Sequence, residues 1–277
     1  MSQISVPVQT DAAFGASRWA PSGYGNPPRI PLIGKSDVVR LFDHLDLWDC
    51  WPLAHEDGRT AEHNGRNWWF FLSSPVFADP VERHGHARIR LISFGNDGWT
   101  DHGNAFPDGF TPGSREWAGS AVLMDDGQTV QHFFTAAGRR GDPQETFEQR
   151  LFVSEGTLNA DGPGSWREPR EIVVADGVRY VLDRQDRGAP GQIKGFRDPA
   201  WLRDPATGRA HILFTGSAAW SDHPFNGNIG IATLQEGEWI LGDPLIDAVG
   251  VNNELERPHV IARDGRYYLF WSTQTHT

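Results

Sequence analysis

Cysteine is nearly absent: Cys50 stands alone in 277 residues. A single thiol excludes an internal disulfide and any Cys-based zinc site. The opening stretch, Met1 to Trp19, has no basic region followed by an apolar run, so no ordinary signal peptide is visible. No hydrophobic run approaches membrane-spanning length. Positive charge is scarce as well, with 25 Lys and Arg against 36 Asp and Glu and a formal net charge of -11. That balance repels phosphate backbones and anionic lipid heads, which argues against nucleic acid or a membrane surface as a partner and favours a neutral ligand. No phosphate-cradling Gly loop precedes a helix, no Ser stands in a nucleophile elbow, and His84-Gly85-His86 lacks a third ligand. Neither a metal nor another cofactor is therefore expected.

What is plentiful points to turns and rings. Gly (31) and Pro (19) are abundant beside 38% hydrophobic and 22% charged residues, which fits a turn-rich globular protein. Twelve Trp suit stacking against the C–H faces of sugars, although most Trp in any fold serve packing.

One hairpin is written four times. Its members run from His63-Asn64-Gly65-Arg66 into Trp68 to Ser73, from Asp126-Gly127 into His132-Phe133-Phe134-Thr135, from Thr207-Gly208 into His211 to Thr215, and from Asp264-Gly265 into Tyr267 to Ser272. Each joins a turn to a short apolar strand with a small or hydroxyl exit. Further strands are expected at Arg88 to Phe94, at Ile172 to Leu182 around Asp176-Gly177, and at Ile229 to Ile240 around Glu236-Gly237. Only Ser36 to His44 reads as helix, with apolar residues at helical spacing after a Ser cap. Repeated antiparallel units with almost no helix predict an all-β fold, a five-bladed β-propeller, with a two-sheet sandwich as the runner-up. The expected division is an N-terminal extension, 1–35, and a propeller domain, 36–277.

Upstream of the four turns stand Leu47-Trp48-Asp49-Cys50-Trp51-Pro52, Arg115-Glu116-Trp117-Ala118-Gly119-Ser120, Phe196-Arg197-Asp198-Pro199 and Asn253-Glu254-Leu255-Glu256-Arg257-Pro258. In a propeller these positions begin the innermost strands, so four distant segments converge on one funnel. Alone, each acid has an ordinary structural reading: Asp49 a turn residue, Asp198 an Asp-Pro turn or an ion pair with Arg197, Glu254 and Glu256 one face of a solvated strand. Together they supply a chemistry. Retaining glycoside cleavage needs a carboxylate nucleophile and a carboxylic acid about 5 Å away, which protonates the leaving oxygen and then activates the acceptor. Asp49 and Glu256 fit those roles, Asp198 would hydrogen-bond sugar hydroxyls and stabilise oxocarbenium character, and Arg197 and Arg257 would orient substrate and carboxylates.

Those four motifs resemble glycoside hydrolase family 68, the levansucrases, inulosucrases and β-fructofuranosidases that act on sucrose. The resemblance runs from about residue 36 to the C-terminus. It implies Asp49 as nucleophile, Asp198 as transition-state stabiliser and Glu256 as general acid/base, with Trp48, Trp117, Arg197, Glu254 and Arg257 in sugar-contacting positions. It further implies sucrose as donor, fructan, sugar or water as acceptor, and an extracellular or periplasmic location. Three positions depart from the pattern. Ala118 replaces a common Ser beside the nucleophile, Asn253 replaces the Asp of calcium-binding members, and Gln274 falls where polymer-forming members have Arg or His, a position that handles the acceptor. Members also continue for roughly another blade beyond Thr277, so the chain is expected to be a fragment that lacks most of the last blade. The rivals are an arabinanase-like inverting enzyme, with carboxylates roughly 6.5 to 9.5 Å apart, and a carbohydrate-binding propeller without turnover.

Overall fold

The computed structural model describes residues 15–20, 31–182 and 193–273. Strands dominate, and they fall into radial units that follow the sequence repeat. The first blade consists of Leu45–His55, Arg66–Pro75, Arg88–Gly95 and Gly98–Asn104, antiparallel in that order. The second consists of Arg115–Leu123, Thr129–Ala137 and Gln149–Asn159, with Gly162–Gly164 and Arg170–Val173 both paired to the last of these. In the third, Phe196–Arg203, Ala210–Ser217, Gly227–Gln235 and Glu238–Leu241 follow one another. A fourth unit is the hairpin Glu256–Arg263 with Arg266–Ser272. All four expected turns sit where the repeat placed them. Gly65, Gly127, Gly208 and Gly265 each take a φ near 70°, as a tight hairpin requires.

Alternation along each second strand explains why blades stack. Phe134 packs toward the first blade with Phe70 and Leu53, while its neighbour Phe133 packs toward the third with Ile212 and Phe214. In the third blade, Phe214 faces back to the second while Leu213 faces the fourth with Leu255 and Leu269. A blade buried on both faces thus reads as a continuous apolar run, as in His132-Phe133-Phe134 and Ile212-Leu213-Phe214. The inner strands of blades one and two are laced directly, Leu53–His55 lying parallel to Ala121–Leu123. The fourth hairpin packs Leu269 and Trp271 inward and leaves Tyr267, Tyr268 and Phe270 exposed.

Two expectations need correction. Ser36 to His44 is not an α-helix: Lys35–Asp37 makes a single 3₁₀ turn and Val38 is already extended. A helical apolar stripe forms only where something covers it, and Val38 and Val39 are exposed, adjacent and β-branched, a pair that favours extended backbone. The strand expected across Ile172 to Leu182 stops at Val173. Asp176 ends it, because its Oδ1 accepts the N–H groups of Val178, Arg179 and Tyr180 at 3.0, 2.7 and 3.2 Å and curls the chain around itself. Within the first 35 residues, Ser17–Arg18 pairs parallel with Ile246–Asp247 at the third blade, and Trp19 meets Trp271 edge-on. Among the described residues no helix is long and apolar enough to cross a membrane.

Candidate active site

All four inner strands break register at the same level. The ladder slips between Trp48 and Cys50, between Trp117 and Gly119, between Arg197 and Ala200, and between Glu256 and His259. Three of these bulges put a residue in the left-handed region: Asp49 at φ 44°, Asp198 at 62° and Arg257 at 53°. Such a conformation costs a non-glycine residue roughly 1–3 kcal/mol and re-aims its side chain off the alternating pleat. In the second blade, Gly119 serves the same break: a Cβ there would lie 1.9 Å from the Phe133 carbonyl oxygen. The bulges turn side chains toward the axis, where a cavity of about 820 Å³ is lined by Trp48, Asp49, Trp117, Arg197, Asp198, Glu254, Glu256 and Arg257. Eight of the nine sequence-picked positions therefore share one space. Gln274 lies outside the described residues.

The carboxylates differ in setting. Asp49 and Glu256 are 42% and 31% exposed, whereas Asp198 and Glu254 are 7% and 2% exposed. Arg197 is the buried hub. Its Nη2 donates to Glu254 Oε1 at 2.9 Å and to Glu256 Oε1 at 3.0 Å, its Nη1 donates to Gln149 Oε1 at 3.3 Å, and its Nε lies 3.7 Å from Asp198 Oδ2. Burial opposes the Arg197 charge, but Asp198, Glu254 and Glu256 outweigh it and hold the guanidinium above the ordinary arginine range.

Asp198 is fixed by its neighbours in three blades. Its backbone N–H donates to the Thr135 hydroxyl at 2.9 Å, and its Oδ2 accepts from the Thr215 hydroxyl at 3.0 Å and from the Arg257 backbone N–H at 3.1 Å. Burial nevertheless pushes the Asp198 carboxyl up to about 6, with Glu256 and Asp49 adding like-charge repulsion and Arg197 and Arg257 opposing. The shared guanidinium sits nearer the two glutamates, so it offsets only part of that burial.

Arg257 spans the gap from the fourth blade to the first. Its Nη1 lies 3.4 Å from Asp49 Oδ1 and its Nη2 donates to the Cys50 carbonyl at 2.8 Å. Glu116 does not reach the cavity; its carboxylate accepts the Ile89 N–H at 2.8 Å and the Thr111 hydroxyl at 2.9 Å, and burial raises its pKa. Ala118 offers no side-chain donor to Asp49, but its carbonyl accepts from Thr135 at 3.1 Å. Asn253 Oδ1 accepts from the Lys194 ammonium at 2.8 Å, and no group of three or more His, Cys, Asp or Glu among the described residues could hold a metal.

Sequence reasoning missed the supports and the rim. Thr135, Thr215 and Gln149 orient the charged groups without carrying charge. The only signal for the two threonines was the hydroxyl exit of each repeat. The rim consists of Asp79 and 81–86 with Glu145, Phe147 and Ile193. There Arg83 lies 4.9 Å over the Trp48 ring and His84 meets it edge-on. Of this rim the sequence drew notice only to His84-Gly85-His86, as an incomplete metal motif, and nothing in it announces a contact with Trp48.

An arrangement of two accessible carboxylates, two buried ones and two arginines suits acid–base and covalent work on a neutral polyhydroxyl ligand. Known proteins agree in fold and family. A levansucrase of Rahnella aquatilis is 27% identical over 88% of this chain and 67% of its own length. An extracellular sucrase of Zymomonas mobilis is 29% identical over 93% of the chain and 70% of its own. Among solved structures, the inulosucrase of Halalkalicoccus jeotgali bound to kestose superposes with a TM-score of 0.76 at 39% identity, covering 85% of this chain and 62% of that one. The levansucrase of Bacillus subtilis, 22% identical, shares the fold at a TM-score of 0.70. The fold is thus the five-bladed β-propeller class, and the chain spans roughly two thirds of the length of these relatives, 63% in a levansucrase of Pseudomonas savastanoi. The levansucrase/invertase family model matches residues 26–224 and 220–277, and the chain belongs to that family, glycoside hydrolase family 68.

Proposed function

We propose that this chain carries the catalytic face of a retaining fructosyl-transferring enzyme acting on sucrose. The observation that carries the reading is that Asp49, Asp198 and Glu256, from three different blades, line one cavity with Arg197 and Arg257 between them. Asp49 attacks the anomeric carbon of the fructosyl unit while Glu256 gives its proton to the glycosidic oxygen, and glucose departs with that proton. Asp198, held by Thr215 and the Arg257 amide, faces the ring as positive charge develops. Glu256, now a carboxylate, takes the proton of the incoming acceptor, whose oxygen displaces Asp49 from the fructosyl carbon. Water as acceptor gives hydrolysis; sucrose or a growing fructan gives chain extension. Trp48, Trp117, Glu254 and, on the family resemblance, Gln274 take part in holding sugars. The relatives' names, levansucrase and extracellular sucrase, agree with this substrate and with a location outside the cytoplasm. Residues 36–277 are taken as the unit that builds this face.

The greater exposure of Asp49 and Glu256 supports the assignment of roles, because the reacting pair exchanges bonds and protons with both the departing sugar and the incoming acceptor, whereas Asp198 needs only one oxygen turned to the ring. The test is release of glucose and fructose from sucrose by the full-length protein and its Asp49→Asn variant. Glucose in excess of fructose, and a variant reduced by at least about a thousandfold, is the expected result. Absence of glucose from folded parent protein overturns the sucrose reading and favours a binding propeller. Products of inverted configuration favour the arabinanase-like mechanism.

A further inference from the structure

Just upstream of Arg197, the Lys194 ammonium sits in a cage of oxygens. It donates to the Pro224 carbonyl at 2.7 Å, to Asn226 Oδ1 at 2.6 Å and to Asn253 Oδ1 at 2.8 Å. An ammonium donates only, and among the described residues these three oxygens converge on it. Both amides are buried and held from their other end. Asn226 Nδ2 donates to the Ala218 carbonyl at 2.9 Å and Asn253 Nδ2 to the Ile193 carbonyl at 3.2 Å, which fixes each Oδ1 toward the lysine.

These contacts close a ring around the site. From Lys194 the path runs through Asn253 to its neighbour Glu254, across the 2.9 Å bond to Arg197, and from Arg197 Nη1 to Gln149 Oε1 at 3.3 Å. Gln149 Nε2 then returns to the Lys194 carbonyl at 2.8 Å, while its Oε1 also accepts the Phe196 N–H at 3.0 Å. Lys194 itself does not line the cavity. It bridges the segment entering the third blade's inner strand to the segment entering the fourth blade's. Those two segments deliver Arg197 on one side and Glu254 and Glu256 on the other.

We propose that Lys194 is a positioning residue whose caged ammonium sets the Glu254–Arg197–Glu256 arrangement from outside the cavity. Its kinetic consequence rests on the fructosyl-transfer reading; its structural consequence does not. A compact point charge on a flexible stem suits three convergent carbonyl-type oxygens, whereas a planar guanidinium does not. Supporting residues of this kind typically change activity by about ten- to a hundredfold when removed.

The test compares Lys194→Met and Lys194→Ala with the parent in the full-length protein, and adds Asn253→Ala, which keeps the ammonium and removes one of its acceptors together with the Asn253–Ile193 bond, in case the lysine variants fold poorly. Two readouts are taken: amide hydrogen exchange by segment, and kcat and KM on sucrose. Faster exchange confined to 252–257 and 194–198, with 66–75 unchanged, and a kcat loss of about ten- to a hundredfold with KM moved far less, supports the proposal. Partial recovery of Lys194→Ala by added propylammonium supports it further. Unchanged local exchange overturns it, and so does exchange that quickens throughout with kcat falling only in step with the folded fraction. If the parent does not turn over sucrose, the fructosyl reading falls, and the exchange pattern alone still decides whether Lys194 holds the Glu254 segment.

Discussion

The backbone N–H of Arg257 donates to Asp198 Oδ2 at 3.1 Å, so the peptide after the fourth blade's acid holds the third blade's carboxylate. The Asp198 carboxyl is nevertheless raised to about 6 by burial and by the charges of Glu256 and Asp49. Raised above its ordinary value of 3.8, it favours the folded state least when ionised. Its contribution to stability is therefore intact below about pH 4 and is lost as pH rises through about 6, by roughly 3 kcal/mol. Asp198→Asn should raise Tm relative to the parent at pH 7 and lose that advantage at pH 4. Activity should move the other way: the ionised form is the useful one, so the acid limb of kcat on sucrose lies near pH 6 in the parent. Thermal melts at the two pH values and a pH–rate profile check both halves.

Thr135 and Thr215 are equivalent residues of successive repeats with different duties. Thr135 receives the Asp198 N–H and donates to Ala118; the Thr215 hydroxyl lies 3.0 Å from both the Asp198 carboxylate and the Leu255 carbonyl, which share its one proton. Removing either hydroxyl strands buried polar partners, at about 1–3 kcal/mol. Thr135→Val should lower Tm with a modest effect on kcat, because it touches the Asp198 backbone. Thr215→Val should lower kcat as well, because it touches the carboxylate. Equal kinetic effects from the two variants would contradict that division.

How much of this was legible before any coordinates depended on what kind of physics each feature uses. The four turns, the doubly apolar second strands and the charged residues of the inner strands are written in local sequence, since hairpins and alternation are short-range properties. The positive φ of Asp49, Asp198 and Arg257 is not, because outside the tight turns that hold Asn64, Glu236 and Asp264 it is long-range pairing on both sides of a bulge that puts an L-residue there. Nor was the failure of Val38 and Val39 to join a helix, which depends on what packs against them. The hydroxyl exits of Thr135 and Thr215 were visible as a pattern, yet each also has a partner in the next blade, Asp198 for Thr135 and Leu255 for Thr215, which local sequence does not name.

Arg197 offers a sharper test of the hub. One nitrogen, Nη2, serves both Glu254 and Glu256 while Nη1 reaches Gln149. A lysine keeps the charge but lacks the rigid fork that lets two nitrogens reach three acceptors. Arg197→Lys should therefore lose about a hundredfold or more in kcat while remaining folded, and Arg197→Ala, which leaves buried carboxylates uncompensated, should be destabilised by about 3–5 kcal/mol. Denaturant midpoints alongside sucrose kinetics separate the two effects. Recovery of activity by Arg197→Lys would show that charge alone suffices.

His132 gives a stability prediction independent of the active site. It is fully buried among Trp51, Phe70, Phe106, Phe134 and Trp166, and neither ring nitrogen has a hydrogen-bond partner among the described residues. Burial alone pushes its pKa from 6.5 down to about 3. A depressed folded pKa means that stability is fully present above pH 6.5 and is lost as pH falls toward 3, because the unfolded chain takes up a proton that the folded one refuses. This opposes the Asp198 effect over the same interval, and its larger displacement should dominate, so the parent loses stability on acidification. His132→Phe keeps a flat aromatic ring at slightly greater volume, removes two unpaired polar atoms and abolishes the linkage. Its Tm should equal or exceed the parent's at pH 7, and the advantage should widen steadily down to pH 4. A parallel decline of the two proteins with pH would mean that His132 finds a partner for its proton and is not the isolated core residue its surroundings describe.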